Sequence, residues 1–179
     1  RDSSVTGVQT CALPIFAAPS PVLFLPYLSG ERTPHNDVAA RGAFIGLAHE
    51  SDRAVLTQAV LEGVAFATKS CQEVLEAAGS HVAEIDLVGG GSRSALWAGI
   101  IANVLGIAVH TVEDGEIGGA FGAARLARIA ATGLSPAEVC PPAKRLRTFT
   151  PDKGVVDAYA ERYALWSRMY PAIKAAQAG

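Results

Sequence analysis

Three consecutive glycines, Gly89, Gly90 and Gly91, follow the largely apolar run Ile85-Asp86-Leu87-Val88 and precede a helical pattern that opens on Ser92-Arg93-Ser94. A strand that ends in glycines lets a ligand approach the backbone, because no Cβ intervenes. The helix that follows turns its unpaired N–H groups toward whatever lies there. This is the chemistry of a phosphate or nucleoside site. A tight strand-to-helix turn of any α/β domain has the same composition, and the glycines alone do not separate the two. A second glycine-rich turn runs from Gly115 through Gly122-Ala123-Ala124. If both turns lie at the C-terminal ends of neighbouring parallel strands, they bound the crevice in which open α/β sheets take ligands.

Other groupings carry less. Gly89 to Ser94 approaches the dinucleotide pattern G-x-G-x-x-G, with Glu113 where a ribose-binding acid would stand, but Ser94 occupies the place of the third glycine. Neither a P-loop nor a G-x-S-x-G nucleophile elbow is present. The densest charged patch is Glu31, Arg32, His35, Asp37 and Arg41. Such a loop could touch a sugar or a phosphate, or brace the domain by pairing Glu31 and Asp37 with Arg32 and Arg41. Cys11, Cys71 and Cys140 form no CxxC pair and stand near no histidine at ligand spacing, so neither a disulfide framework nor a zinc site is supported. Cys71 reads as a core residue.

These residues need a scaffold, and 179 residues make about one domain. Half the chain is apolar and 18% is charged, which favours folding over disorder. The net charge of −2 provides no basic field for nucleic acid. The longest apolar runs are about ten residues or shorter, well under a membrane span. A reducing, cytoplasmic compartment is the expectation.

Val22 to Tyr27 reads as a buried strand and Gly42 to Leu47 as a second. Ser51 can cap a long helix that starts near Asp52, carries an apolar stripe from Val55 to Ala78 and stops at Gly79. A strand at 84–88, a helix at about 93–105, a strand at 107–112 and a helix at about 117–131 then alternate. That alternation predicts a parallel or mixed sheet covered by helices. The segment from Pro136 to Pro151 reads as irregular, with Lys144, Arg145 and Arg147 as a solvated basic group. One last helix is expected from about Val155 to Ala176, packing through Tyr159, Tyr163, Trp166, Met169 and Tyr170. At the other end, the stretch Val5 to Ile15 looks like the translation of a sequencing-adaptor read. Residues 1–15 are therefore expected to be artefactual and unstructured, with 16–179 part of a longer protein.

Several blocks in order resemble the C-terminal domain of the FGGY carbohydrate kinases, on the side of the xylulokinase-like members. They are Pro26-Tyr27-Leu28-Ser29-Gly30-Glu31-Arg32-Thr33-Pro34-His35-Asn36, Gly42-Ala43-Phe44-Ile45-Gly46-Leu47, Ala59-Val60-Leu61-Glu62-Gly63-Val64, Val88 to Ser94 with Trp97, and Gly118 to Arg125. Val55 departs from the pattern, where an acidic or polar residue is usual. The resemblance implies an α/β domain of the actin-like ATPase (ribonuclease H-like) fold, a mixed sheet flanked by helices, truncated at its N-terminal side. It also implies ATP and Mg²⁺ as cofactors and D-xylulose as a substrate shared with a missing N-terminal domain. By that resemblance Gly89, Gly90, Gly91 and Ser94 are the cofactor-binding residues, Gly119, Ala120 and Gly122 shape the helix below, and Glu62 is structural. Asp37, Asp86 and Asp114 do not stand in the motif of the catalytic aspartate, so no catalytic residue and no metal ligand is assigned. A sheet edge exposed by truncation would invite association, with a homodimer as its simplest form.

Overall fold

The computed structural model describes residues 18–177. The adaptor-like stretch and its Cys11 lie outside them. Two small sheets hold the strands: β1 (Leu23–Leu25) pairs antiparallel with β2 (Ala43–Ile45). β3 (Glu84–Leu87) runs parallel to β4 (Ala108–Val112), which pairs antiparallel with β5 (Arg145–Phe149). Helices α1 (Arg53–Ala77) and α2 (Ala95–Leu105) fill the space between the two sheets. α3 (Gly118–Thr132) and the short α4 (Pro136–Val139) follow β4, and α5 (Lys153–Trp166) and α6 (Met169–Gln177) complete the described chain.

The helix boundaries follow from capping chemistry. Asp52, not Ser51, caps α1, since its carboxylate accepts the Val55 N–H at 2.9 Å. The Ser51 hydroxyl is turned back to accept the Ala48 N–H at 2.9 Å instead. Ser94 caps α2, which ends on Gly106 in the left-handed region at φ 72°.

The buried arc of α1 is rotated from the apolar stripe. Gln58, Glu62, Phe66 and Ser70 are inside, whereas Val74 and Leu75 are 40% and 50% exposed. The polar members are satisfied internally. Both Glu62 carboxylate oxygens accept from Ser20 N–H, at 3.1 and 3.0 Å. Oε1 also accepts from Gln58 Nε2 at 2.7 Å and from the Tyr159 hydroxyl at 3.0 Å. Cys71 is only half-buried, with its thiol 3.5 Å from the Thr33 carbonyl.

Two expectations for the C-terminal third need correction. The span 136–151 is not irregular. It contains α4, closed by a Ser135/Glu138 capping box, and the edge strand β5. Its basic residues are exposed, as expected, and two of the three are also paired: Arg145 bonds Asp86 at 2.9 Å and also Glu84, and Lys144 bonds Glu113 at 3.2 Å. The single last helix is instead two, interrupted at Ser167 and Arg168. Pro171 lacks an N–H and its ring would crowd the Ser167 carbonyl of a continuous helix, whereas in the first turn of α6 it is tolerated, so the break falls just before it. The aromatic face holds regardless: Tyr159, Trp166 and Met169 are buried, with Trp166 Nε1 donating to the Phe24 carbonyl at 2.8 Å.

The loop between β1 and β2 is braced, but by partners other than those expected. Asp37 accepts from the Tyr170 hydroxyl at 2.6 Å and from Lys174 at 2.9 Å, both on α6, while Arg41 donates to the Val38 and Ala40 carbonyls. Hydrogen bonds from Tyr170, then Lys174, hold the Asp37 carboxyl well below the usual carboxylate range. A carboxylate with a depressed folded-state pKa stabilises above its unfolded value of about 3.9, and that contribution disappears as pH falls toward the folded value. The stability gap between the parent and D37N is thus expected to stay constant near neutrality and to close below about pH 4. Urea melts over that range check it, and an equal gap at acid and neutral pH would refute it.

Candidate functional site

β3 and β4 are parallel neighbours, paired Glu84↔Ala108 through Leu87↔Thr111, so their C-terminal ends open on the same edge of the sheet. Each is followed there by one of the two glycine turns. After Val88 the chain enters Gly89 at φ 90° and ψ 176°, a conformation that is essentially glycine's alone. Gly90–Arg93 then form one 3₁₀ turn before Ser94 starts α2. After β4, Gly115–Ile117 form a matching 3₁₀ turn that leads into α3.

The turns are bonded to each other. Gly89 N–H donates to the Gly115 carbonyl at 2.7 Å, and the Ser92 hydroxyl donates to the Gly89 carbonyl at 2.8 Å. Arg93 of the first turn also reaches Glu116 of the second at 3.5 Å, with both side chains exposed. The two glycine turns therefore lie side by side at the C-terminal ends of neighbouring parallel strands, as the glycine runs implied, and a main-chain bond joins them.

The sequence-derived site residues differ in what surrounds them. Around Gly90 there is open space, with no heavy atom within 4 Å of where a Cβ would stand. The position of a Cβ on Gly91 is filled by the Trp97 indole, so this glycine serves internal packing. Trp97 is in turn tethered through Nε1 to the Leu61 carbonyl at 3.4 Å. Ser94 Oγ accepts the Trp97 N–H at 3.2 Å as the α2 cap, and its own O–H proton stays available to donate. The exposed apolar side chains Val88, Ile117 and Phe121 follow one another along the two turns and the first turn of α3.

Two sequence expectations are displaced. Glu113, the ribose-acid position of a dinucleotide fold, is paired with Lys144. Gly119, Ala120 and Gly122 do not bring α3 against the sheet: none of its residues is buried among the described ones. Two features went unseen in the sequence. One is the Gly89–Gly115 bond, which links residues of separate turns. The other is a polar cluster on the face of the sheet opposite the core, where His110 bonds Thr148 at 2.9 Å and Glu84 at 3.2 Å. Strand alternation puts Glu84, Asp86 and His110 on one face, a signal that period-2 reading of 84–88 and 107–112 carries. The partner strand β5 was missing from that reading.

The family profile described as "FGGY family of carbohydrate kinases, C-terminal domain" matches residues 11–131. A xylulose kinase of Escherichia coli (strain K12) is 39% identical over 169 residues, which cover 94% of this chain and 35% of that relative. The crystal structure of a xyloylose kinase from Brucella ovis superposes with a TM-score of 0.81 at 48% identity, over 93% of this chain and 35% of that one. A gluconate kinase from Lactobacillus acidophilus superposes with a TM-score of 0.73 at 25% identity, over 96% of this chain and 35% of its own. The chain thus spans about a third of the length of these relatives. With its mixed sheet flanked by helices in the actin-like ATPase fold, and its glycine turns at the ends of parallel strands, the chain belongs to the FGGY family of carbohydrate kinases.

Proposed function

We propose that this chain forms part of the ATP site of a kinase that transfers the γ-phosphoryl group of ATP to D-xylulose, giving D-xylulose 5-phosphate. The observation that carries the proposal is the pair of bonded glycine turns with open space at Gly90, in a chain whose relatives are named xylulose kinases. In this reading the adenosine lies against Gly89 and Gly90, Gly91 lets Trp97 back the turn, and Ser94 donates to the base or ribose. Val88, Ile117 and Phe121 offer an apolar flank for a planar base.

Bound ATP supplies the transferable phosphoryl group, and the kinase contributes positioning and charge stabilisation. Among the described residues no three His, Cys, Asp or Glu side chains gather into a cation site. Mg²⁺ accordingly rides on the phosphates in this proposal. In this proposal the catalytic base and most of the sugar pocket are supplied by other parts of the full-length kinase, since this chain spans about a third of the length of the relatives it matches. A cytoplasmic location and a homodimer complete the reading. Among the described residues no helix is long and apolar enough to cross a membrane.

A kinase of another sugar or polyol of the same family is the second reading, for which the superposition on the gluconate kinase speaks. Comparing D-xylulose with gluconate as substrates of the full-length enzyme separates the two.

Gly90→Leu tests the nucleotide assignment, because a Cβ there meets no heavy atom within 4 Å and the added side chain starts in open space. In the full-length enzyme the KM for ATP is expected to rise about tenfold or more, with the KM for xylulose little changed. The 179-residue chain alone is expected to show no xylulose phosphorylation. Steady-state kinetics in which the sugar KM moves and the ATP KM does not would remove the site from these turns.

A further inference from the structure

Helix α3 carries a surface that exposure to solvent does not explain. None of its 15 residues is buried, and its only charges are those of Arg125 and Arg128. At about 100° per residue, both arginines fall on one side with Phe121, whose ring lies 4.1 Å from the Arg125 guanidinium. The arc from Leu126 round to Ala124, about 160° of the circumference, holds only glycine, alanine and leucine. Gly119, Ala123, Ala127 and Ala130 lie within it, and Leu126 at its border is 69% exposed.

A helix that stays at the surface turns charged or polar residues outward, and one without such a face is a helix to be buried. The arc also has little side-chain bulk, so whatever covers it can come close to the helix backbone. At Gly119 no heavy atom lies within 4 Å of where a Cβ would stand, so nothing in this chain uses the missing side chain. The neighbouring sheet is open as well: β3 has β4 on one edge and, among the described residues, no strand on the other.

From this arc we infer that α3 is an intramolecular docking surface, covered in the complete kinase by an apolar face of the sequence that lies outside this chain. The chain spans about a third of the length of the relatives it matches, so most of their length is available to supply the cover. A second copy of the chain is the poorer occupant on area. A helix of 15 residues is about 22 Å long and its arc about 16 Å wide, so two arcs face to face would bury about 700 Å² in all. Stable association of separate chains takes about 1,000 Å² or more. A covering segment of the same polypeptide needs less, since the covalent connection supplies its effective concentration. A nucleic acid would seek the arginines, which lie off the arc. Phe121, assigned above to the base, lies off it too, so the inference does not rest on the nucleotide site.

The test places a thiol on the arc with Ala127→Cys in the full-length kinase and follows its alkylation by N-ethylmaleimide, with peptide mass spectrometry to separate it from the native cysteines. Alkylation of the folded enzyme is expected to be about tenfold or more slower than in urea. It is also expected to be slower than in the 179-residue chain, where the position is exposed. The protection is expected to be independent of protein concentration and of added ATP. Ala123→Glu, which puts a charge on the arc, is expected to lower the melting temperature of the full-length kinase by several degrees and to leave that of the 179-residue chain unchanged. Alkylation of the folded enzyme as fast as in urea would overturn the inference. Protection that disappears on dilution, the mark of a second copy, or that is seen only with ATP would overturn it too, as would an equal effect of Ala123→Glu in both proteins.

Discussion

Replacing Glu62 by alanine is expected to destabilise the chain by about 3–5 kcal/mol, because each buried donor left without an acceptor costs about 1–3 kcal/mol. Two donors lose their acceptor, the Ser20 backbone N–H and the Tyr159 hydroxyl, and Gln58 Nε2 keeps only its bond to the Ala18 carbonyl. They come from the segment before β1, from α1 and from α5, so the carboxylate joins three separate pieces of chain at one point. Glu62 is 1% exposed, and water cannot stand in for it without opening the core. Burial, outweighing these hydrogen bonds, raises the Glu62 pKa above its ordinary value.

The sign of the pH dependence follows. A carboxyl whose folded pKa is raised contributes most below its unfolded value of about 4.3, and loses that contribution as pH rises through the folded value. The gap between the parent and E62Q should therefore narrow from pH 4 toward neutrality, the reverse of the behaviour expected for D37N. Urea melts at acid and neutral pH measure both. An E62A chain within about 1 kcal/mol of the parent at neutral pH would refute the keystone role.

The second large effect is expected one residue further on. A Cβ on Gly63 would fall inside van der Waals contact of the Phe24 carbonyl oxygen and stand 3.1 Å from the carbonyl carbon. Backbone cannot swing aside as a side-chain tip can, so α1 and β1 must separate. The same Phe24 oxygen accepts Trp166 Nε1, and the displacement would strain that bond as well. Gly63→Ala is expected to cost about 3 kcal/mol or more, beyond the usual overpacking range for so small a change. Loss of the near-ultraviolet circular dichroism of the packed indoles should accompany it. Gly90→Ala, facing open space, is the matched control and should remain within about 0.5 kcal/mol of the parent. Equal melts for the two variants would contradict the close approach of helix and strand.

Much of the scaffold was legible because its signals were local. The alternation of strand and helix from Ile85 to Thr132, the stops at Gly106 and Gly133, and the two glycine turns are each written in a few adjacent residues. β5 was not legible for a physical reason. Arg145-Leu146-Arg147-Thr148-Phe149 is an exposed edge strand whose Arg145 pairs across the sheet with Glu84 and Asp86, so its hydropathy resembles a loop. The α5–α6 break had a visible signal in Pro171, which the continuous aromatic periodicity outweighed. The buried arc of α1 was misplaced because Glu62 and Gln58 read as surface residues until their partners forty and more residues away are known. At the site itself, the glycines announced a crevice, but not that Gly91 is small on behalf of Trp97 or that Ser94 already serves as a cap.

The bond from Gly89 N–H to the Gly115 carbonyl joins the two turns through backbone atoms alone. Replacing residues other than Gly89 leaves both atoms in place, since every residue but proline brings the same N–H and every residue the same carbonyl; only at Gly89, whose conformation belongs to glycine, would a side chain move the donor. The exposed side chains along the two turns can therefore drift to suit a different ligand while the turns stay joined at that point. A change of ligand preference is then open to substitution along the turns without first rebuilding the backbone that joins them.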